Sequence, residues 1–265
     1  MNQLIILKLG GSLITRKDRD EAEVNEEALK RISKEISQTL KQKQIKLIIV
    51  HGAGPFGHVP AKKYELSGGF KTADQSKGIA VTRASMEKLN GKVVKFLMDA
   101  GVNAVAFQSS AAGVLEDGRL ASFNVEAVRG LLRMNLVPVG YGDVLVDLKK
   151  GCSILSGDQL VPYLAGKLSA SRVVIATDYN GIFDGDPKDK KSKKIDVITW
   201  ENISMLDGRR TSGTDVTGGI KRKVTELLNL ANEGIECEII SGNEKDYVKR
   251  ALLGEKGLGT TIGVQ

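Results

Sequence analysis

Short apolar runs bounded by glycine alternate along this chain with longer segments of helical periodicity, and this alternation restricts the fold more than any other feature. The first runs are residues 4–9, 45–50 and 102–107. Between them, segments 25–43 and 75–100 space their apolar residues three and four positions apart, as one face of an amphipathic helix requires. Strands that alternate with helices build a parallel sheet with helices on both faces.

The second half of the chain continues this pattern after one interruption. Residues 136–156 have the pattern of a strand, a hairpin and a strand, which predicts a small antiparallel insertion. After it we predict a helix at 157–170, a strand at 172–177, a helix at 218–233 and a strand at 235–240. The expected fold class is therefore α/β, a three-layer αβα sandwich with a mainly parallel central sheet and a small β-hairpin insertion.

Composition excludes several classes of protein. The 39 Lys and Arg against 32 Asp and Glu give a net charge of +7, but only 5% of residues are aromatic and none interleave with the basic runs, so nucleic-acid binding is disfavoured. The chain has no run of about 18 apolar residues, so we expect no membrane helix. Cys152 and Cys237 are isolated, which favours a reducing, cytoplasmic setting.

The lysine-rich segment 184–196 predicts a mobile surface loop.

Glycine clusters follow the first two predicted strands directly. KLGGS occupies residues 8–12 and HGAGPFG occupies residues 51–57. Because parallel strands end at one edge of a sheet, and glycine lets backbone N–H groups approach an anion closely, we expect these two loops to line one phosphate site. Each cluster taken alone is also compatible with a tight turn. Neither matches a P-loop or a dinucleotide-binding fingerprint, so a different phosphate-binding plan is expected.

Five motifs stand in a fixed order along nearly the whole chain: KLGGS at 8–12, HGAG at 51–54, SGD at 156–158, TDxxG at 177–181 and DVTGGxxxK at 215–223. This ordered set resembles the amino acid kinase superfamily, whose members phosphorylate carboxylates, carbamate or phosphates with ATP. The resemblance implies one domain over residues 1–265. It also implies an acceptor-binding lobe at 1–170 and a nucleotide-binding lobe at 171–265.

The stretch HGAGPFGH with the following AKKY, residues 51–64, resembles the isopentenyl phosphate kinases of archaea. That resemblance implies that His58, at the end of the loop, recognises the acceptor phosphate as a doubly donating imidazolium. His51, at the strand end, is expected to fix the loop. Two alternatives remain: a kinase of another small phosphate or phosphonate, similar to the fosfomycin or UMP kinases, and a non-catalytic nucleotide sensor.

The reaction implied is phosphoryl transfer from ATP, with Mg²⁺, to isopentenyl phosphate, in line and without a general base. The implied catalytic residues are Lys8, Lys17, Lys223, Asp158 and His58. Lys8 and Lys223 would hold the ATP phosphates and the transferring group. Lys17 would stabilise the transition state from the acceptor side, and Asp158 would orient the lysines.

The resemblance also implies the binding residues. For ATP they are Lys8, Gly10, Gly11, Gly54, Asp178, Gly218, Gly219 and Lys223. For the acceptor they are Ala53, Gly54, His58, Arg83 and Gly157, with the apolar chain near the helix that carries Ile79, Val81, Met86 and Leu89. Asn180 departs from the aspartate common in relatives, metal ligands are unassigned, and a homodimer is implied.

Overall fold

The computed structural model describes residues 3–16, 22–206 and 219–263. Its strands are β1 Leu4–Leu9, β2 Thr15–Arg16, β3 Glu23–Val24, β4 Lys46–His51, β5 Ala104–Ala106, β6 Gly113–Glu116, β7 Arg119–Phe123, β8 Val137–Tyr141, β9 Asp143–Asp147, β10 Gly151–Leu155, β11 Arg172–Thr177, β12 Ile182–Phe183, β13 Lys194–Ile195, β14 Val197–Ile198, β15 Glu236–Ser241 and β16 Thr260–Ile262. Its helices are α1 Gly11–Ile14, α2 Glu26–Gln42, α3 Gly54–Lys63, α4 Asp74–Asp99, α5 Ser109–Ala112, α6 Val125–Arg133, α7 Gly157–Leu168, α8 Gly219–Asn232 and α9 Tyr247–Leu253.

One large sheet forms the middle layer. Its strands lie in the order β14-β16-β15-β11-β1-β4-β8-β5, and the six from β15 to β5 run parallel. Strand β16 pairs antiparallel with β15. A second, four-stranded sheet has the order β10-β9-β6-β7 and holds the predicted hairpin as β9 and β10. The predicted α/β class with a small antiparallel insertion is confirmed.

Strand β1 shows why two helical layers form. Ile5 and Leu7 point to one face of the sheet and join the core cluster that contains Ile36 of α2. Ile6 points to the other face and joins the cluster that contains Leu164 of α7 and Leu227 of α8. Because side chains alternate along a strand, an almost wholly apolar strand must be covered on both sides.

Some sequence expectations need correction. The segment at 51–64 is not an open loop, since residues from Gly54 onward form α3. The strand expected at 102–107 shortens to Ala104–Ala106. Segment 184–196 is a loop except at its end, where Lys194–Ile195 forms β13. Within the described residues, no helix has both the length and the apolar character needed to cross a membrane.

Candidate active site

A cavity of about 640 Å³ opens at the carboxyl edge of the large sheet. The turns after β1, β4, β8 and β11 contribute Gly10, Gly52, Gly142 and Asp178 to its wall. Parallel strands deliver their carboxyl ends to one edge, so segments far apart in sequence meet there. The two glycine clusters therefore line one site, as their positions after neighbouring strands predict.

The two glycine clusters touch each other backbone to backbone. A Cβ on Gly11 would lie 2.4 Å from the nitrogen of Gly54, and a Cβ on Gly52 would lie 2.5 Å from the nitrogen of Gly11. Gly54 has a φ of +51°, a conformation that favours glycine. The approach of one loop to the other therefore requires glycine, in addition to any approach of a phosphate.

Helix N-termini make this edge of the sheet attractive to anions. Helix α3 begins at Gly54 and α7 begins at Gly157, and both residues line the cavity. The first N–H groups of a helix have no partner within the helix, and the helix dipole places partial positive charge at the same end. Two such ends at one cavity favour a ligand that carries phosphate groups.

Asp158 connects two lysines on the wall of the cavity. The Lys8 ammonium donates to its carboxylate, and the Lys223 ammonium lies 3.7 Å from the same oxygen, Oδ1. Burial alone would raise the pKa of Asp158, but the charges of Lys8 and Lys223 outweigh it and lower that pKa to about 2. The carboxylate is thus ionised and holds ammonium groups from β1 and α8 at one point.

Most of the predicted site residues lie together. Those that line the cavity are Lys8, Gly10, Gly11, Ala53, Gly54, His58, Gly157, Asp158, Asp178 and Lys223. Gly219 lines an adjoining recess of about 230 Å³ that shares His58, Asp158 and Lys223 with the cavity. Lys17 and Gly218 lie outside the described residues.

His58 reaches the site from a helix. It lies in the second turn of α3 and is exposed, whereas the neighbouring Gly57 is buried against Met86. A helix N-terminus and an imidazole from the same helix thus face the cavity together. This arrangement suits recognition of a phosphate by backbone and side chain at once.

One part of the cavity wall begins at Asp178. Its Oδ1 accepts a hydrogen bond of 2.6 Å from Ser12 Oγ, and its carbonyl accepts one of 3.1 Å from Asn243 Nδ2. These contacts hold the turn after β11 against the first glycine loop. The wall then becomes apolar, with Phe183, Pro187, Leu206 and Ile220 among its members. Ser12 belongs to the KLGGS motif but was not among the predicted site residues.

Another part of the cavity wall, next to α4, is mostly apolar. It includes Ala61, Met86, Val144 and Ile154. Of the four apolar candidates on α4, Met86 lines the cavity, Leu89 packs in the main core, Ile79 packs beside the wall and Val81 is exposed. Met86 of α4 therefore contributes to this surface together with apolar residues from outside that helix.

Arg83 lies beside this wall and pairs with an acid there. Its Nε is 4.0 Å from Oδ2 of Asp143, a fully buried carboxylate that also accepts a hydrogen bond from Ser110 Oγ. Burial raises the pKa of Asp143 despite these partners. Asp143 itself lines the cavity. Contact between Arg83 and an acceptor phosphate stays a prediction.

Comparison with known proteins agrees with this geometry. Residues 3–241 match the amino acid kinase family. The isopentenyl phosphate kinase of Methanothermobacter thermautotrophicus is 39% identical over 98% of this chain and 98% of that protein. The one from Methanocaldococcus jannaschii is 35% identical over 95% and 96%. A crystal structure of an isopentenyl phosphate kinase superposes with a TM-score of 0.84 at 36% identity, over 97% of this chain and 99% of that one.

These similarities span nearly the full length of each protein, and the family match covers all five motifs. The chain therefore belongs to the amino acid kinase family, in the branch formed by the isopentenyl phosphate kinases.

Proposed function

We propose that this protein transfers the γ-phosphoryl group of ATP to isopentenyl phosphate and forms isopentenyl diphosphate. One observation carries the proposal: a single cavity is lined by the Lys8–Asp158–Lys223 cluster, by an apolar wall and by His58 of α3. A small acceptor with an anionic head and an apolar chain fits such a site. Full-length relatives named for this activity support the same substrate.

The chemistry requires positive charge rather than a base. The acceptor phosphate is largely a dianion at neutral pH, so its oxygen can attack the γ-phosphorus without losing a proton first. A new P–O bond forms as the bond to the bridging oxygen of ADP breaks. Because two anions must meet, Lys8 and Lys223 would neutralise charge on the transferring group, and Lys17 would do so from the acceptor side. His58 would hold the acceptor phosphate.

Magnesium fits this site as an ion carried by the nucleotide. Within the described residues, no group of three His, Cys, Asp or Glu side chains is placed to hold a metal ion. Asp158 is already engaged by two lysines. The ATP phosphates and water would therefore hold Mg²⁺, which when bound reduces the negative charge on the phosphates.

A homodimer in a reducing cytoplasm completes the proposal. The family resemblance supports the dimer, and two free, buried cysteines are in keeping with a reducing compartment. Light scattering during gel filtration tests the oligomeric state, and a monomer at working concentration would contradict it.

The substrate is tested by ADP release from ATP and Mg²⁺ with isopentenyl phosphate, fosfomycin and UMP in parallel. We expect turnover selective for isopentenyl phosphate. His58→Ala should lower kcat/KM for that acceptor by about a hundredfold, since a charge-assisted contact to phosphate is lost, and change KM for ATP little. Val59→Ala is the control, because Val59 is exposed on the same helix. Silence with all three acceptors would refute the substrate assignment.

The enzyme and the nucleotide sensor are separated by Lys17→Met. If Lys17 acts on the transition state, the variant should lose turnover while it binds ATP within a few fold of the wild type. Isothermal titration with ATP and a turnover assay measure the two quantities. Equal loss of binding and turnover would contradict this role, and a wild-type protein that binds ATP without transfer to any acceptor would favour the sensor.

A further inference from the structure

His51 is a buried histidine that the phosphoryl transfer described above does not use. It ends β4 and is inaccessible to solvent. Its Nδ1 lies 3.0 Å from the carbonyl oxygen of Gly52, and its Nε2 lies 3.1 Å from the side-chain oxygen of Asn90 on α4. The ring of Tyr141 stacks on it, with 5.5 Å between the ring centroids. Both ring nitrogens and one ring face are therefore held.

These contacts decide which ring nitrogen carries the proton. A carbonyl oxygen only accepts, so Nδ1 of His51 must donate to Gly52. Both polar partners are uncharged, and burial lowers the pKa of His51, so the ring is neutral. In that tautomer Nε2 is an acceptor. Asn90 supplies the donor when its amide is turned by 180°, which exchanges the positions of its oxygen and nitrogen.

The Gly52 carbonyl belongs to the same peptide unit as the N–H of Ala53. In a trans peptide these two groups point in opposite directions. When His51 holds the carbonyl, the Ala53 N–H must therefore point away from the His51 ring. Ala53 and Gly54 line the cavity. The Ala53 nitrogen also faces the first glycine loop closely, since a Cβ added to Gly11 would lie 3.2 Å from it. A rotated peptide would instead turn a carbonyl oxygen toward an anion.

The other partner of His51 belongs to the helix that lines the acceptor side. Thr82, Met86 and Asn90 are spaced four residues apart, so they share one face of α4. Thr82 and Met86 line the cavity. The hydrogen bonds of His51 thus connect the wall beside the apolar chain to the loop at the phosphate.

We propose that His51 is a positioning residue that acts as the neutral Nδ1–H tautomer. It holds the Gly52 carbonyl so that the Ala53 amide donates to the phosphate of the acceptor, a phosphate monoester. The choice of acceptor rests on the proposed function. The tautomer and the direction of the amide rest on the burial of His51 and on its contacts, and they do not depend on the substrate.

The kinetic test uses His51→Phe, which keeps a buried ring and removes the donor to Gly52. We expect kcat/KM for isopentenyl phosphate to fall about tenfold, the effect of one lost hydrogen bond, while KM for ATP stays within about twofold. Thr39→Val is the control, since it removes a fully buried hydroxyl that bonds the Glu35 carbonyl within α2. Unchanged kinetics for the acceptor, or equal losses for ATP and the acceptor, would overturn the proposal.

The tautomer is tested without substrate by ¹⁵N NMR of the histidine rings. The chain has two histidines, so the spectrum of His58→Ala assigns both. We expect His51 to show a protonated Nδ1 and an unprotonated Nε2 at neutral pH. A doubly protonated ring or the opposite tautomer would overturn the proposal.

The two experiments also separate failure of this inference from failure of the proposed function. A wild-type protein that does not phosphorylate isopentenyl phosphate refutes the function, and the NMR spectrum then decides the tautomer. A wild-type protein that does so, with His51→Phe equally active, refutes the inference alone. If His51→Phe does not fold, Asn90→Leu removes the outer partner instead and should show the same selective loss for the acceptor.

Discussion

The Lys8 ammonium donates a hydrogen bond to Asp158, which lies 150 positions further along the chain. The carboxylate directs the ammonium group rather than attracting ATP, whose charge has the same sign. Asp158→Asn should therefore lower kcat by about a hundredfold through misplaced lysines and leave ATP binding no weaker than in the wild type. Single-turnover kinetics and ATP titration measure the two effects. Weaker ATP binding with an unchanged kcat would contradict this role.

The pKa of Asp158 also predicts how stability depends on pH. An aspartate in an unfolded chain has a pKa of about 3.9, and in the folded protein Lys8 and Lys223 hold the pKa of Asp158 at about 2 despite burial. The stabilisation is thus fully present above about pH 4 and is lost as the pH falls toward 2. Urea unfolding of the wild type and of Asp158→Asn should show a difference in free energy that shrinks over this interval. A difference independent of pH would show that the carboxylate is not held ionised.

Alanine substitutions of a glycine in the loop contact and of a glycine outside it should have opposite effects. In Gly11→Ala the new methyl would meet the Gly54 nitrogen at 2.4 Å, so the loops must separate and activity should fall by about a hundredfold. In Gly91→Ala the new methyl meets nothing within 4 Å on an exposed part of α4. That variant should gain about 0.5–1 kcal/mol of stability and keep full activity. Thermal denaturation and turnover measure both, and an active Gly11→Ala would refute the close contact.

Met86 is expected to limit the length of the acceptor. It is buried and lines the apolar side of the cavity. Met86→Ala should raise the ratio of kcat/KM for a ten-carbon isoprenoid phosphate over the five-carbon one by about tenfold, and should cost about 2–5 kcal/mol of stability. Val81→Ala, at an exposed position of the same helix, should change neither. An unchanged ratio in Met86→Ala would show that the apolar chain of the acceptor does not contact Met86.

Glu238 anchors the C-terminal segment away from the active site. Its carboxylate accepts 2.7 Å hydrogen bonds from buried Arg172 and from the Leu258 N–H. Glu238→Ala removes the buried carboxylate that pairs with Arg172 and leaves only the half-exposed Glu236, 3.9 Å away, as its carboxylate partner among the described residues. We therefore expect a loss of about 3–5 kcal/mol in the free energy of unfolding. Lys256→Ala breaks an exposed pair with Glu236 and should cost about 1 kcal/mol or less. Urea denaturation of the two variants tests the contrast, and equal costs would contradict it.

The sequence predicted the main helices and strands because their signals are local. The strands Leu4–Leu9 and Arg172–Thr177 are confirmed at both ends, and the helix expected at 75–100 begins and ends one residue earlier, as Asp74–Asp99. The apolar periodicity and the bounding glycines lie within or next to each segment, so the local sequence is enough to predict each helix or strand. The helix from Gly54 onward was not predicted because it begins with glycine and proline, which usually indicate a turn.

The sequence by itself determined which residue types follow each strand and in which order, and this was enough to indicate the family and the lysine, aspartate and histidine candidates. Only the tertiary structure decided that Asp158 holds both Lys8 and Lys223, that Ser12 holds Asp178, and that His51 connects α4 to the turn after β4. The reason is physical. Such contacts join segments that meet only after the sheet has formed, and no local pattern encodes which of many distant side chains will arrive at the same point.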